Sequence, residues 1–196
     1  MIDNYIIVDD CIPKKYQDDI EELLLGNSGF PWYYVHDVTL TKDRIDRAKT
    51  EALCPAFNHV FYNEANPQFD QWFDFVRPLA YIACEKINFD LQEILQARSF
   101  LQTPNSKPIA NNHAHIDLPF DHLVCLYYVT DNEAPTTLYK QTRYDTKMED
   151  IATVEFEPLD TVMPKKGRCL FFNGKHYHSS SSPSTTTRTI INFDLV

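Results

Sequence analysis

Apolar positions recur along the chain with two different periods, and the change falls near residue 90. Tyr5 to Val8 is a short apolar run that predicts a strand. After Asp9-Asp10-Cys11, Pro13 opens a predicted helix in which Tyr16, Ile20, Leu23 and Leu24 recur at helical spacing, with Gly26 as its stop. Phe30 to Val35 reads as an extended aromatic segment. Asn66-Pro67 has the N-cap and first-turn chemistry of a second helix. Phe69, Trp72, Phe73, Val76, Ala80, Ala83 and Ile87 keep one apolar face on it, a stripe that reads as core. Pro78 is expected to kink or break that helix, because it lacks the N–H of the ladder.

From Leu91 onward short alternating runs dominate: Ile94 to Gln102, His122 to Thr130, Thr136 to Lys140, Thr153 to Glu157, Arg168 to Phe172 and Arg188 to Val196. Turn residues separate them, which is the pattern of an antiparallel sandwich or barrel. The predicted fold is mainly β, with the N-terminal helices packed on one sheet. Its length of 196 residues makes this one domain, with residues 1–90 as a strand and helix buttress and 91–196 as the β core. Ser179 to Thr187 is a serine- and threonine-rich patch that reads as a loop or a strand edge.

Composition narrows the function. Four glycines, and no glycine-rich phosphate motif, argue against nucleotide-cradling loops. A net charge of −10 disfavours binding to a phosphate backbone. Five scattered cysteines without a CxxC suggest reduced thiols and a cytoplasmic protein rather than a disulfide framework or a zinc ribbon. The N-terminus lacks a basic and apolar leader, and no apolar run approaches a membrane span. The acidic run Asp18-Asp19-Glu21-Glu22 reads as a solvated helix face.

The candidate chemistry lies in the second half, which holds five of the seven histidines. His115-Ile116-Asp117 is an HxD. On a strand, residues i and i+2 point to one face, so His115 and Asp117 can approach a single point. Two imidazoles and one carboxylate on a face, with open positions opposite, are the set that non-haem iron(II) oxygenases use. His176 and His178 both offer the third ligand. Ten residues beyond His178, Arg188 opens the apolar strand Thr189-Ile190-Ile191-Asn192-Phe193, and an inward-pointing arginine on a core strand needs an anion.

HxD, then His 61 residues later, then Arg ten residues after that, resembles the Fe(II)/2-oxoglutarate-dependent oxygenases, most closely the prolyl 4-hydroxylase-like branch. Val124-Cys125-Leu126-Tyr127-Tyr128-Val129 is similar to the strand that follows the HxD in oxygen-sensing prolyl hydroxylases, and Gly167 to Phe172 to the strand that leads to the distal histidine. The segment around Phe30 to Tyr34, with the later helix, is similar to small oxygenases encoded by marine phages, for which the host cytoplasm would be the setting. The resemblance implies a double-stranded β-helix, or jelly roll. It implies iron ligation by His115, Asp117 and His178, the last favoured over His176 by its spacing to Arg188. It also implies 2-oxoglutarate held by Arg188 and Tyr128, with Asn192 near the cosubstrate, and O₂ as the oxidant.

Two stretches depart from the family pattern. Glu133-Ala134-Pro135-Thr136 replaces a glycine-containing strand, and Gln102 stands near where an active-site tyrosine is usual. The implied reaction is hydroxylation of a C–H bond in a peptide, a prolyl residue foremost, or in a small molecule. Trp32 to Tyr34 is expected near the barrel mouth. Arg98 reads either as a structural ion pair or as a substrate contact, and His113 and His122 as loop and strand-start residues. Two other readings compete. One is a cupin-type metal-binding jelly roll that needs no 2-oxoglutarate and hence no Arg188. The other is a nucleic-acid demethylase, which the net charge of −10 disfavours.

Overall fold

A computed structural model describes residues 2, 4–26, 29–38, 54–65, 70–108, 112–146 and 154–196. Among these described residues, ten strands and two helices follow in the order β1 (Tyr5–Val8), α1 (Lys14–Leu25), β2 (Tyr33–Val35), β3 (Ala56–Asn63), α2 (Phe73–Lys86), β4 (Ile94–Gln102), β5 (Leu123–Tyr128), β6 (Thr136–Thr142), β7 (Pro158–Val162), β8 (Cys169–Asn173), β9 (His176–Ser180) and β10 (Arg188–Leu195). They form a seven-stranded sheet of order β1-β8-β5-β10-β4-β3-β2 and a three-stranded sheet of order β7-β6-β9. Every strand pair is antiparallel, as a jelly roll requires.

The central strands of the large sheet are buried on both faces. Its outer face carries Cys125, Tyr127, Phe171, Ile191 and Phe193, which share one core with Ile20, Leu23 and Leu24 of α1 and Val76, Leu79, Ala80 and Ala83 of α2. Its inner face carries Val124, Leu126, Tyr128, Leu170, Phe172 and Ile190, which meet Leu138 and Val162 of the small sheet. A strand covered on both faces reads as a continuous apolar run, and all residues of β5 and β10 are buried. The first 90 residues do more than buttress this layer: β1, β2 and β3 belong to the large sheet itself.

Several expectations change here. β3 was not predicted from the pattern, because a register shift between Val60 and Tyr62 breaks its alternation. The predicted strand at Thr153 to Glu157 is displaced: 154–157 carry no strand, and the strand is β7 at Pro158–Val162. Phe156, which made that run look like a strand, instead packs between the rings of Tyr139 and Tyr177. Asn66 and Pro67 lie outside the described residues. α2 begins at Phe73, where Asp70 accepts a hydrogen bond from the Trp72 amide at 2.8 Å. The helix also continues through Pro78, and the carbonyl deprived of its donor belongs to Asp74, on the exposed side. Ser179 to Thr187 begins as the end of β9 and continues as a loop that Glu133 holds, accepting bonds from the Ser184 and Thr185 amides at 2.6 Å each and the Thr186 hydroxyl at 3.0 Å.

All five cysteines are buried free thiols. Among the described residues, no helix is long and apolar enough to cross a membrane.

Candidate metal and cosubstrate site

Strand parity sets the site. Arg98, Phe100 and Gln102 of β4 face Asn192, Ile190 and Arg188 of β10 in register, and Ile190 faces Tyr128 of β5. The inner face is therefore polar at two ends, with Phe100, Ile190 and Leu126 between them. A cavity of about 200 Å³ runs over this face and is lined at one end by Arg98, His115, Asp117, His178 and Asn192 and at the other by Gln102, Thr136 and Arg188.

At the first end, the chain after β4 crosses to the small sheet. His115 forms a lone β-bridge with His178 of β9, each amide donating to the other's carbonyl at 3.0 Å. This bridge, rather than the continuous strand expected for the HxD, brings together residues more than 60 positions apart. The two imidazoles lie 4.3 Å centroid to centroid. His115 Nδ1 donates to the His113 carbonyl at 3.1 Å, and His178 Nδ1 lies 3.5 Å from the His176 carbonyl. Each ring is thereby turned to offer the lone pair of Nε2. Asp117 Oδ2 lies 3.5 Å from His178 Nε2, and the donor atoms of His115, Asp117 and His178 all lie within 4.8 Å of one another.

Two nitrogens and one carboxylate oxygen converging on one point suit a divalent ion of the iron(II) type. Burial alone would raise the Asp117 pKa, but Arg98, His178 and His115 outweigh it and hold the carboxyl well below the usual range. Burial, helped by the neighbouring His115, pushes His178 down to about 3, so the ring is neutral and able to bind a metal at ordinary pH. His176 is turned elsewhere: its Nδ1 donates to the Tyr139 carbonyl at 3.0 Å, and it is absent from the cluster.

At the other end, Arg188 is 3% exposed. Its Nε donates to the Ala134 carbonyl at 3.1 Å, Nη1 to Gln102 Oε1 at 3.2 Å and Nη2 to Thr136 Oγ1 at 2.9 Å. All three acceptors are neutral, and among the described residues no carboxylate pairs with it. A guanidinium has five N–H donors, so two remain, one on each terminal nitrogen. That is the fork a carboxylate accepts. The Tyr128 hydroxyl donates to the same Thr136 Oγ1 at 2.8 Å, and burial pushes this phenol up to about 12. Gln102 thus contacts Arg188 directly, and its own amide nitrogen is tied to the Cys54 sulfur at 2.9 Å. Asn192 stands at the metal end, with Nδ2 3.5 Å from Asp117 Oδ2.

The aromatic segment stays outside the cavity. Trp32 packs on Phe30 and donates to the Leu24 carbonyl at 3.1 Å, while Tyr33 and Tyr34 are exposed on the sheet edge. None of the three lines the cavity, where Val38, Phe100 and Ile116 supply apolar surface instead.

The fold is shared with solved 2-oxoglutarate/iron oxygenases. An oxidoreductase of the 2OG-Fe(II) oxygenase family from Burkholderia pseudomallei matches at a TM-score of 0.66 and 10% identity, over 98% of this chain and 85% of that one. The non-heme alpha ketoglutarate dependent epimerase SnoN from nogalamycin biosynthesis matches at 0.63 and 15%, over 99% and 78%. A Pseudomonas putida prolyl-4-hydroxylase matches at 0.56 and 9%, over 98% and 92%. At these identities the likeness is one of fold. No family model and no curated protein sequence matches the chain.

Proposed function

We propose that this protein is an Fe(II)- and 2-oxoglutarate-dependent dioxygenase that hydroxylates a C–H bond. The observation that carries this reading is the two-ended cavity. A three-donor cluster stands at one end and a buried arginine without a carboxylate partner at the other. They lie on one strand face with Arg188 and Asn192 four residues apart, about 13 Å at the usual strand rise. A metal-binding jelly roll of cupin type would have no reason to bury that charge.

In this reading His115, Asp117 and His178 hold Fe(II), while Arg188 takes the distal carboxylate of 2-oxoglutarate on its two spare N–H groups. When bound, iron would activate O₂ with two electrons drawn from 2-oxoglutarate, which leaves as succinate and CO₂, so that the remaining oxidising equivalents fall on an unactivated C–H bond. The chain's own contribution is orientation and exclusion of water. Tyr128, Thr136 and Gln102 fix the guanidinium plane. Leu126, Phe100 and Ile190 make the middle of the cavity apolar, which favours a dry site. Asp117 stays ionised and His178 neutral, so both ligands are ready without proton release.

The substrate in this reading is a prolyl residue of a peptide, as in the prolyl 4-hydroxylase-like branch, or a small molecule. The solved neighbours include a prolyl-4-hydroxylase and an epimerase from nogalamycin biosynthesis. A polynucleotide is disfavoured by the charge of −10. Succinate release is to be measured in parallel with proline-containing peptides, free amino acids and methylated single-stranded DNA. Turnover on the first or second supports the reading, and turnover on DNA alone contradicts the substrate class.

A further inference from the structure

Arg98 is a half-buried cation of the inner face, its side chain 21% exposed, and its partners differ from those of Arg188. Its Nη2 donates both to Asp117 Oδ1 at 2.9 Å and to Asp194 Oδ2 at 3.0 Å. Asp194 is fully buried and sits two residues beyond Asn192 on the same face of β10. Behind it, His122 Nε2 lies 3.6 Å from Asp194 Oδ1, and His122 Nδ1 donates to the Phe120 carbonyl at 2.8 Å. His122 is itself wedged by Gly174, where any β-carbon would collide with the imidazole ring. Asp194, Arg98 and Asp117 therefore form a chain anchored in a packed wall.

The two oxygens of Asp117 are in different situations. Oδ1 is engaged by Arg98, whereas Oδ2 is the oxygen that faces His178 and Asn192, each at 3.5 Å. We infer that Arg98, held by Asp194, is a positioning residue that commits Asp117 to present a single oxygen, Oδ2, to the metal. This rests on the metal site proposed above and adds to it a clamp that the sequence pattern does not contain. Arg98 stands between two carboxylates, so one guanidinium nitrogen ties the ligand Asp117 to the wall residue Asp194. A monodentate carboxylate leaves more of the ion's positions open than a chelating one.

The test uses Co(II) as the probe, because its visible spectrum reports the number and kind of its ligands. The informative variant is the double substitution Arg98→Met/Asp194→Asn. It replaces both members of the Arg98–Asp194 pair with uncharged side chains and frees Asp117 Oδ1, so that the carboxylate of Asp117 has the metal as its counter-ion. Arg98→Lys is the conservative companion, with one ammonium in place of the fork. Outer partners of metal ligands typically account for about 10–100-fold in affinity. Co(II) affinity of the double variant should therefore fall by about that factor, with an altered visible spectrum, and Arg98→Lys should recover part of both. Thermal unfolding of the metal-free proteins reports any general damage to the fold.

If wild type and the double variant bind Co(II) with the same affinity and the same spectrum, Arg98 is a structural ion pair only and the inference is overturned. If wild type takes up no Co(II), the metal site falls, and the clamp with it.

Discussion

Arg188→Lys is the substitution whose effect follows most directly from the geometry. In the wild-type protein three N–H groups of Arg188 are spent on Ala134, Gln102 and Thr136, leaving one on each terminal nitrogen. A carboxylate docked there accepts two parallel charged hydrogen bonds. Lysine keeps the charge but presents a point donor, so at least one of these bonds is lost. A hydrogen bond to a charged group contributes about 1.5–3 kcal/mol, which corresponds to about 10- to 150-fold in Kd. The acceptors on Gln102 and Ala134 also lose their donor in a buried setting, at about 1–3 kcal/mol of stability each if nothing replaces it. Calorimetric titration of 2-oxoglutarate into the Co(II)-loaded proteins measures the first quantity, and denaturant unfolding the second. A 2-oxoglutarate Kd within about threefold of wild type in a folded Arg188→Lys protein would refute the assignment of Arg188 as the carboxylate clamp.

The other predictions concern the metal, the phenol, the loop and the core. His115→Ala, Asp117→Ala and His178→Ala should each weaken Co(II) binding by more than the roughly 100-fold upper value for loss of a supporting partner. His176→Ala, whose ring is tied to the Tyr139 carbonyl, should leave it nearly unchanged, and a reversed result would make His176 the ligand in place of His178. Tyr128→Phe removes a hydroxyl that donates to Thr136, not directly to a charge, so the 2-oxoglutarate Kd should rise by about tenfold or less. Glu133 has its pKa held below its usual 4.5: burial pushes it up, but the Ser184 and Thr185 amides outweigh this. The folded state then binds fewer protons than the unfolded one, so the stability Glu133 contributes is full above pH 4.5 and lost as the pH falls. Acid unfolding of Glu133→Gln should show a shallower decline over that window, and an identical decline would exclude this contribution. Phe193→Ala, in the fully buried core under the helices, should cost about 3–5 kcal/mol by urea unfolding.

What the sequence makes legible is local chemistry in order along the chain. The HxD, the distal histidine, the arginine and the parity of Val124, Leu126 and Tyr128 are all readable from spacing and residue type; the structure brings the first three and Leu126 to one cavity and puts Val124 and Tyr128 in the core of the same sheet face. What it hides is pairing at a distance. Nothing near Arg98 signals Asp194, 96 positions away, as its partner. Nothing near the HxD signals that a single bridge to His178, rather than a strand, would align it. Strand limits suffer for a related reason. Period-2 alternation marks a strand with one wet face, whereas β5 and β10 are buried on both, and β3 carries a shift that reverses its faces midway. Composition alone does not say whether an aromatic segment lines a cleft or stands on a sheet edge, and Tyr33 and Tyr34 are exposed on the edge.

The central claim is that one cavity holds a metal at His115, Asp117 and His178 and the 2-oxo acid against Arg188. A crystal structure of the protein with Mn(II) in place of Fe(II), soaked with 2-oxoglutarate and recorded with anomalous scattering, tests it in a single measurement. The account predicts one anomalous peak bonded to both Nε2 atoms and to Oδ2 of Asp117, with a carboxylate of the ligand on the two free N–H groups of Arg188. A peak at His176, or 2-oxoglutarate bound away from Arg188, would contradict it.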